Sequence, residues 1–382
     1  MPELNMFEDI TSANIASYWN TLQQAEAPYL GEILFPNTQI PTNTVSFYRG
    51  LSRAPKPLSL SALDAKAIQR DRQGFKEFTV KAGFFKEAKY IDEQLREQLV
   101  KVKNSPITSQ KDIILGRIFN DSAELLRGAA LSREIMRMQL LQTGKFSIAG
   151  NGQVFAEDYQ MKANHIADAK AIWGTDGASP VDDIRRAMDT IGTEEGITLT
   201  RVLMNQKTFH ALLTDNEIKS TLLANNANTA AVSIPRQVLL AFLKDEFGII
   251  PEVYDKGYVD ATGAFVRFIP DGNVVFLPAE NLGTTAFAPT PEETDLLASS
   301  AADVTITDTG VAVTTTLKDD PVTKQTKVTQ KVVPTFEMID GVYVLHAFTA
   351  SEGGNTTTPG GGTEGGGSEA GGEDGKQTPP EG

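Results

Sequence analysis

The sequence predicts an α+β protein, and three observations carry that prediction. One helical pattern runs almost unbroken from Ser109 to Thr143, helix-like and strand-like stretches alternate from about 170 to 290, and strands rich in Thr and Val follow between 304 and 348. With 382 residues, 40% of them hydrophobic and 22% charged, the chain can fill two or three small cores at roughly 150 residues each.

Residues 1–45 read as an extended N-terminal arm. It holds one short amphipathic helix near Ile10 to Gln24, then the turn-rich runs Ala27-Pro28-Tyr29-Leu30-Gly31 and Phe35-Pro36-Asn37, and is expected to bury little of itself. Val45–Tyr48 and Glu77–Phe84 have strand character, separated by a polar stretch from Arg53 to Gly74. A connection that long is either functional or disordered, so 46–86 is expected to project as a loop or hairpin.

The long helix has Thr108 and Ser109 as capping residues, Asp112 near its positive end, and Gly144 after its last turn. Leu115, Ile118, Phe119, Ser122, Leu125, Leu126, Ala129, Ile135, Met136 and Leu140 approximate one stripe. Some 35 residues extend about 50 Å, longer than one globular core needs, so the helix reads as a spine shared by several elements. Asn-Gly at 151–152 supplies the positive φ angles of a tight hairpin between Lys145–Ala149 and Gln153–Ala156.

Beyond it, Ser179 and Pro180 start a helix ending near Gly192, Thr198–Met204 is a strand, Gln206–Leu223 a helix, and Pro235–Phe247 a helix stopped by Gly248. Ile249–Tyr254 is a further strand, and Phe265–Ile269 is expected to pair with Val274–Leu277 around Pro270-Asp271-Gly272-Asn273. Val304–Thr307 and Val311–Thr314 form a Thr/Val-rich hairpin, and Lys327–Phe336 and Gly341–Phe348 are the final strands. Residues 351–382, mostly Gly, Thr, Glu, Ser and Pro, form a glycine-rich tail with nothing to bury, expected to be disordered.

Chemistry is sparse. Without cysteine there is no disulfide framework, thiolate zinc site, iron–sulfur cluster or cysteine nucleophile. His165, His210 and His346 lie far apart, with no HExxH or HxH spacing to make a metal site. GxSxG, Walker A and EF-hand patterns are absent, and Asp182/Asp183 and Asp319/Asp320 read as helix-start charges and a pre-proline turn. No enzyme, metal or cofactor is expected. No apolar run of about 18 residues could span a bilayer, and the N-terminus lacks a secretory signal, so the chain is expected to stay in the cytoplasm.

Charge is distributed unevenly. Residues 1–48 hold five acids and no Lys or Arg, 49–145 carry a net +8, and the remainder −17, for −14 overall. That balance opposes adhesion to DNA or acidic membranes. Aromatics among the bases of 70–89 (Phe75, Phe78, Phe84, Phe85) could touch nucleic acid, but contact between copies of the chain explains both signs of charge. Arg53, Lys56, Arg70 and Arg72 in the basic excursion are the candidate assembly contacts.

The chain resembles the tailed-phage major capsid proteins, nearest the lambda-like capsid protein E family. The resemblance is densest at Gly144-Lys145-Phe146-Ser147-Ile148, Glu157-Asp158-Tyr159, Ala171-Ile172-Trp173 and Ser179-Pro180-Val181-Asp182-Asp183-Ile184. It continues through Phe268-Ile269-Pro270-Asp271-Gly272-Asn273-Val274-Val275, Leu282-Gly283, Thr290-Pro291-Glu292, Asp320-Pro321 and Val333-Pro334, in order over about residues 1–350. It implies the Hong Kong ninety-seven-like fold: an arm at 1–45, an E-loop at 46–86, a P-domain with the spine helix at 87–170, an A-domain at 171–290, and a return to the P-domain at 291–350.

The implied function is self-assembly, as hexamers and pentamers, into the icosahedral virion shell around a dsDNA genome, in the host cytoplasm and without catalysis. Scaffolding and portal proteins are implied partners, with a decoration protein a further one and no membrane involved. The arm starts almost at Met1, so a separate scaffolding protein is expected. Some relatives cross-link a loop lysine to an asparagine of a neighbour; Lys56, Lys66 and Lys76 are loop lysines here, without an alignable partner. Two rivals stand beside this reading: a non-viral encapsulating shell of the same fold, and a surface carbohydrate-binding module in which Trp19 and Trp173 would stack on sugar rather than pack in cores.

Overall fold

The computed structural model describes residues 10–49, 57–58, 60–66, 76–91, 93, 95, 97, 108–222, 234–299, 302–320 and 322–350. Its organising element is helix α3 (Thr108–Thr143), preceded in the chain by α1 (Ser12–Ala25) and α2 (Leu30–Leu34). Gly144 ends the spine in the left-handed conformation, at φ 67°.

The strands before the spine are β1 (Asn37–Gln39), β2 (Thr44–Arg49), β3 (Lys76–Lys81) and β4 (Gly83–Ile91), and those after it β5 (Lys145–Gly150) and β6 (Gln153–Asp158). β2 and β3 pair antiparallel, from Thr44 opposite Lys81 to Arg49 opposite Lys76, so the expected stem exists. β5 and β6 form the other expected hairpin, with Asn151 and Gly152 both at positive φ.

The next region follows as β7 (Ile166–Ala169), α4 (Pro180–Glu195), β8 (Leu199–Met204), α5 (Gln206–Thr214), α6 (Asn216–Leu222), α7 (Arg236–Phe247), β9 (Ile250–Val253), β10 (Gly257–Val259), β11 (Phe265–Arg267) and β12 (Asn273–Pro278). The chain then returns through β13 (Thr285–Phe287), β14 (Asp303–Thr307), β15 (Val311–Asp319), β16 (Val322–Pro334) and β17 (Tyr343–Ala350).

Two sheets carry two cores. In the first, β16 pairs with β15 along one edge and with β4 and β13 along the other, with β14 and β1 outermost. Alternate β16 residues Lys324, Thr326, Val328, Gln330 and Val332 are buried, and Gln330 Nε2 reaches the Ala129 carbonyl of the spine at 3.0 Å. The second sheet, in the order β7-β17-β12-β8-β9, contributes Val202, Val274, Phe276 and Leu345 to a core shared with Ile184 and Ile191 of α4 and Leu239 and Leu243 of α7. β17 thus returns the last described strand to the mixed region, and α+β is the observed class.

Several local expectations change. Phe265–Arg267 pairs back onto β10, while β12 enters the centre of the second sheet between β8 and β17. The reason lies in burial. β12 is buried on both faces over Val274–Pro278, which suits a central strand, whereas β11 is half exposed and forms only a two-stranded ribbon. α4 continues through Gly192 to Glu195 and stops at Gly196, at φ 67°; Ser179 makes no side-chain cap. The single helix expected over 206–223 is two, because the Asp215 carboxylate accepts the Glu217 and Ile218 amides at 2.9 and 3.2 Å and starts α6 afresh. β16 begins at Val322 and ends at Pro334, leaving Phe336 outside it.

The largest correction concerns the arm. Ile10, Ile15, Trp19, Leu34 and Phe35 are buried in the first core, and β1 pairs in parallel with β13. Thr11 caps α1, accepting the Asn14 amide on its side chain; Ser12 donates its amide and hydroxyl to Asp303 at 2.7 and 2.8 Å, and Trp19 Nε1 donates to Asp308 at 3.1 Å. The apolar face of α1 therefore finds its cover on the spine and the β14–β15 hairpin of the same subunit. Residues 1–9 and the glycine-rich tail at 351–382 lie outside the described residues.

Trp19→Ala is therefore expected to destabilise the unassembled subunit by about 3–5 kcal/mol, the cost of emptying a buried indole site. Urea unfolding of the monomer measures it; unchanged stability would mean that α1 is not seated on its own subunit.

Candidate assembly interface

The four candidate contacts Arg53, Lys56, Arg70 and Arg72 lie outside the described residues; the stem of their loop and part of its span are described. Leu58, Leu60 and Leu63 are 91%, 101% and 104% exposed, and Lys66 is exposed beside them. The hydrophobic effect favours covering all three leucines, and nothing described in the subunit does so.

The stem is fastened at its loop end, where Arg49 stands opposite Lys76. Arg49, buried, directs Nε and NH2 at the two Asp340 oxygens, at 3.1 and 2.7 Å, and NH1 at the Tyr159 carbonyl at 2.7 Å and at that of Gln160. This fork geometry is one that arginine alone among the side chains supplies. Lys76, opposite Arg49 in the ladder, bonds the Gln160 side chain and sits 4.9 Å from the Phe78 ring centroid. Phe47 stacks on Phe78 with centroids 5.7 Å apart, and Tyr159 meets Phe47 edge-on at 5.3 Å. A buried ion pair and an aromatic cluster therefore hold the direction of the loop.

The spine fixes its neighbours in the first core through charges its apolar stripe does not predict. Arg133 pairs with Asp308 at 3.0 Å and donates to Gln330 Oε1 at 2.8 Å. Arg137 donates to Thr285 Oγ1 at 2.8 Å and to Asn37 Oδ1 at 2.6 Å. Glu134 Oε1 accepts the Gly31 amide at 3.1 Å and the Tyr254 hydroxyl at 2.8 Å. Burial pushes the Glu134 carboxyl above its ordinary range and brings the Arg137 guanidinium down to about 10. Gly31 has to be glycine, since a Cβ there would stand 2.3 Å from Glu134 Oε2.

The tertiary structure also brings His165 to Glu194 and Glu195, three groups whose ligand atoms lie within 4.8 Å of one another. Spacing along the chain gives no sign of this. Lys162 bonds Glu195 and lies 3.8 Å from Glu194, so an ammonium already supplies the positive charge there. Both tryptophans are buried; Trp173 Nε1 donates to Asp183 at 3.0 Å. Neither offers a face to a sugar ring, which removes the carbohydrate-module reading. Among the described residues no helix is long and apolar enough to cross a membrane.

A long spine seated in the first core, a mixed region with a core of its own, and a hairpin anchored through Arg49 and Asp340 are the features of the class of tailed-phage capsid subunits of the Hong Kong ninety-seven-like fold. The chain belongs to the family described as phage major capsid protein E, which matches residues 11–347. It is similar in fold to the candidate capsid protein of a prophage of Escherichia coli CFT073, with a TM-score of 0.56 and 17% identity over 88% of this chain and 98% of that one. A phage-related protein of Bordetella bronchiseptica RB50 has a TM-score of 0.50 at 13% identity, covering 88% and 97%. No curated protein matches the chain. Family and fold are structural in kind: the protein forms capsid shells by self-assembly, and its place is the virion capsid.

Removing the hairpin anchor should be costly. Asp340→Ala leaves the buried Arg49 unpaired, a change expected to cost about 3–5 kcal/mol. Limited proteolysis and urea unfolding should register it as earlier cleavage in the loop and a lower midpoint; wild-type behaviour in both would deny Asp340 that role.

Proposed function

We propose that the chain is the major capsid protein of a tailed bacteriophage, closing as hexamers and pentamers into an icosahedral shell around dsDNA. The observation that carries the finer reading is the excursion with Leu58, Leu60 and Leu63 in full solvent exposure on an anchored stem. A subunit whose own cores are filled, yet which holds three leucines away from them, is built to bury those leucines against something else. In this reading 46–86 is the E-loop, 87–170 with 291–350 the peripheral domain, 171–290 the axial domain, and 1–45 the arm, of which residues 10–40 belong to the subunit's own core.

Assembly requires no reaction. Scaffolding and portal proteins, and a decoration protein on the finished shell, are the proposed partners, with assembly in the host cytoplasm. The basic excursion and the acidic remainder of the chain supply opposite charge for a contact between copies, which favours register and orientation more than affinity. Arg53, Lys56, Arg70 and Arg72 are the proposed charged members of that contact.

Two sets of variants separate the apolar from the ionic contribution. Leu58→Asp, Leu60→Asp and Leu63→Asp combined should abolish particles seen by negative-stain microscopy while circular dichroism stays that of the wild type. Reversing Arg53, Lys56, Arg70 and Arg72 to Glu should impair particle formation, and salt near 1 M, where the screening length is about 3 Å, should weaken the same contact in the wild type. Wild-type shells from the leucine variant would sink the loop contact. A wild-type chain that stays monomeric at high concentration with its scaffold present would sink the shell reading itself.

A further inference from the structure

His165, Glu194 and Glu195 form a cluster that nothing in shell formation uses. The imidazole is fully buried yet makes no hydrogen bond of ordinary length: Nδ1 has no partner, and Nε2 meets only Glu194 Oε2, at 3.4 Å. That spacing is long for a hydrogen bond. It matches the edge, about 3.4 Å, of a tetrahedron drawn around a zinc ion whose nitrogen and oxygen ligands lie at about 2.0–2.2 Å. Glu195 supplies a further oxygen, and the ligand atoms of the three residues all lie within 4.8 Å of one another.

The surroundings suit a cation. Glu194 and Glu195 stand in the last turn of α4, at the negative end of its dipole. Asn164 donates its side-chain amide to Glu194 Oε1, which leaves Oε2 turned towards the imidazole. Burial holds the His165 pKa below its ordinary value of 6.5, so the ring is neutral near neutral pH and has a lone pair to give. The two carboxylates face one ammonium, that of Lys162, which bonds Glu195 and lies 3.8 Å from Glu194. One negative charge is left over. The Lys162 side chain is 39% exposed and has room to turn into water, and Glu194, 35% exposed, gives an ion a way in.

We propose that this cluster is a zinc site, with His165 Nε2, Glu194 and Glu195 as the protein ligands, water in the fourth position, and Lys162 displaced. The two charges of the ion balance the two carboxylates, which a single ammonium does not. Bound zinc joins the turn Ala163–His165, which leads into β7, to the end of α4, and so fastens an edge strand of the second sheet to a helix of the same core. The site is a property of the single subunit and stands apart from the shell reading.

The test is calorimetric titration of zinc ion into the full-length, untagged, unassembled chain, freed of metal with a chelator. One ion should bind per chain with a Kd tighter than about 100 μM. His165→Ala should abolish binding, Asn164→Ala should weaken it about tenfold, Lys162→Gln should strengthen it, and His210→Gln and His346→Gln should leave it unchanged. Zinc should also raise the urea midpoint of the wild type and leave that of His165→Ala where it was. A wild type that binds no zinc overturns the site, even where Lys162→Gln binds it, and so does zinc bound equally well by His165→Ala. Should His165→Ala not fold, NMR of the wild type decides, its rings assigned through the other two histidine variants. Paramagnetic Co²⁺ should broaden the His165 ring signals ahead of those of His210 and His346; broadening of either of those first overturns the assignment.

Discussion

One stretch of the spine sets the rest of the subunit. Arg133, Glu134 and Arg137 lie within about one helical turn of one another and are buried, and a buried charge is tolerated only when paired and hydrogen-bonded. Their partners come from six places: α2, β1, β13, the β14–β15 turn, β16 and Tyr254 beyond β9. A single turn of the helix thus gathers neighbours from across the first core, and the polar pairings specify which neighbours they are. Apolar packing alone would tolerate sliding of these elements along the spine, whereas a guanidinium forked between a carboxylate and an amide would not.

The same logic repeats at smaller scale under the hairpin. Arg49 takes up both oxygens of Asp340 and two backbone carbonyls, so the stem is held to the body up to the point where the excursion begins. The subunit is complete where its cores are concerned and incomplete at the loop, whose leucines stand in water. A shell subunit needs both properties: a body rigid enough to aim the contact and a contact surface that is unsatisfied until a neighbour arrives. The arm belongs with the body over residues 10–40, contrary to what its turn-rich composition suggests, because Trp19 and Phe35 are large apolar groups for which the spine and the first sheet provide sites.

Much of the architecture was legible from local pattern. The spine ends where Gly144 allows a left-handed residue, the Asn151-Gly152 turn closes its hairpin, and Val45–Tyr48 meets Glu77–Val80 as strand alternation indicates. Less was legible of what those elements touch. The burial of Arg133, Glu134 and Arg137 was not, since a charge in sequence gives no sign of the partner that will bury it. Asn205 as the cap of α5 and Asp215 as the break before α6 were within reach of capping rules, because Asn and Asp favour helix starts and turns. The convergence of His165 with Glu194 and Glu195 was not, for those residues are set side by side only by the fold.

By itself the sequence determined the elements, their order, the uneven charge and the length of the excursion, because helix periodicity, strand alternation and turn chemistry act over a few residues. Only the tertiary structure decided that β12 is central, that α1 is seated on its own spine, and that Arg49 and Asp340 meet across a sequence separation of 291. Those outcomes depend on which surfaces exclude water together and which buried charges find partners, and both are properties of the assembled core rather than of any local stretch.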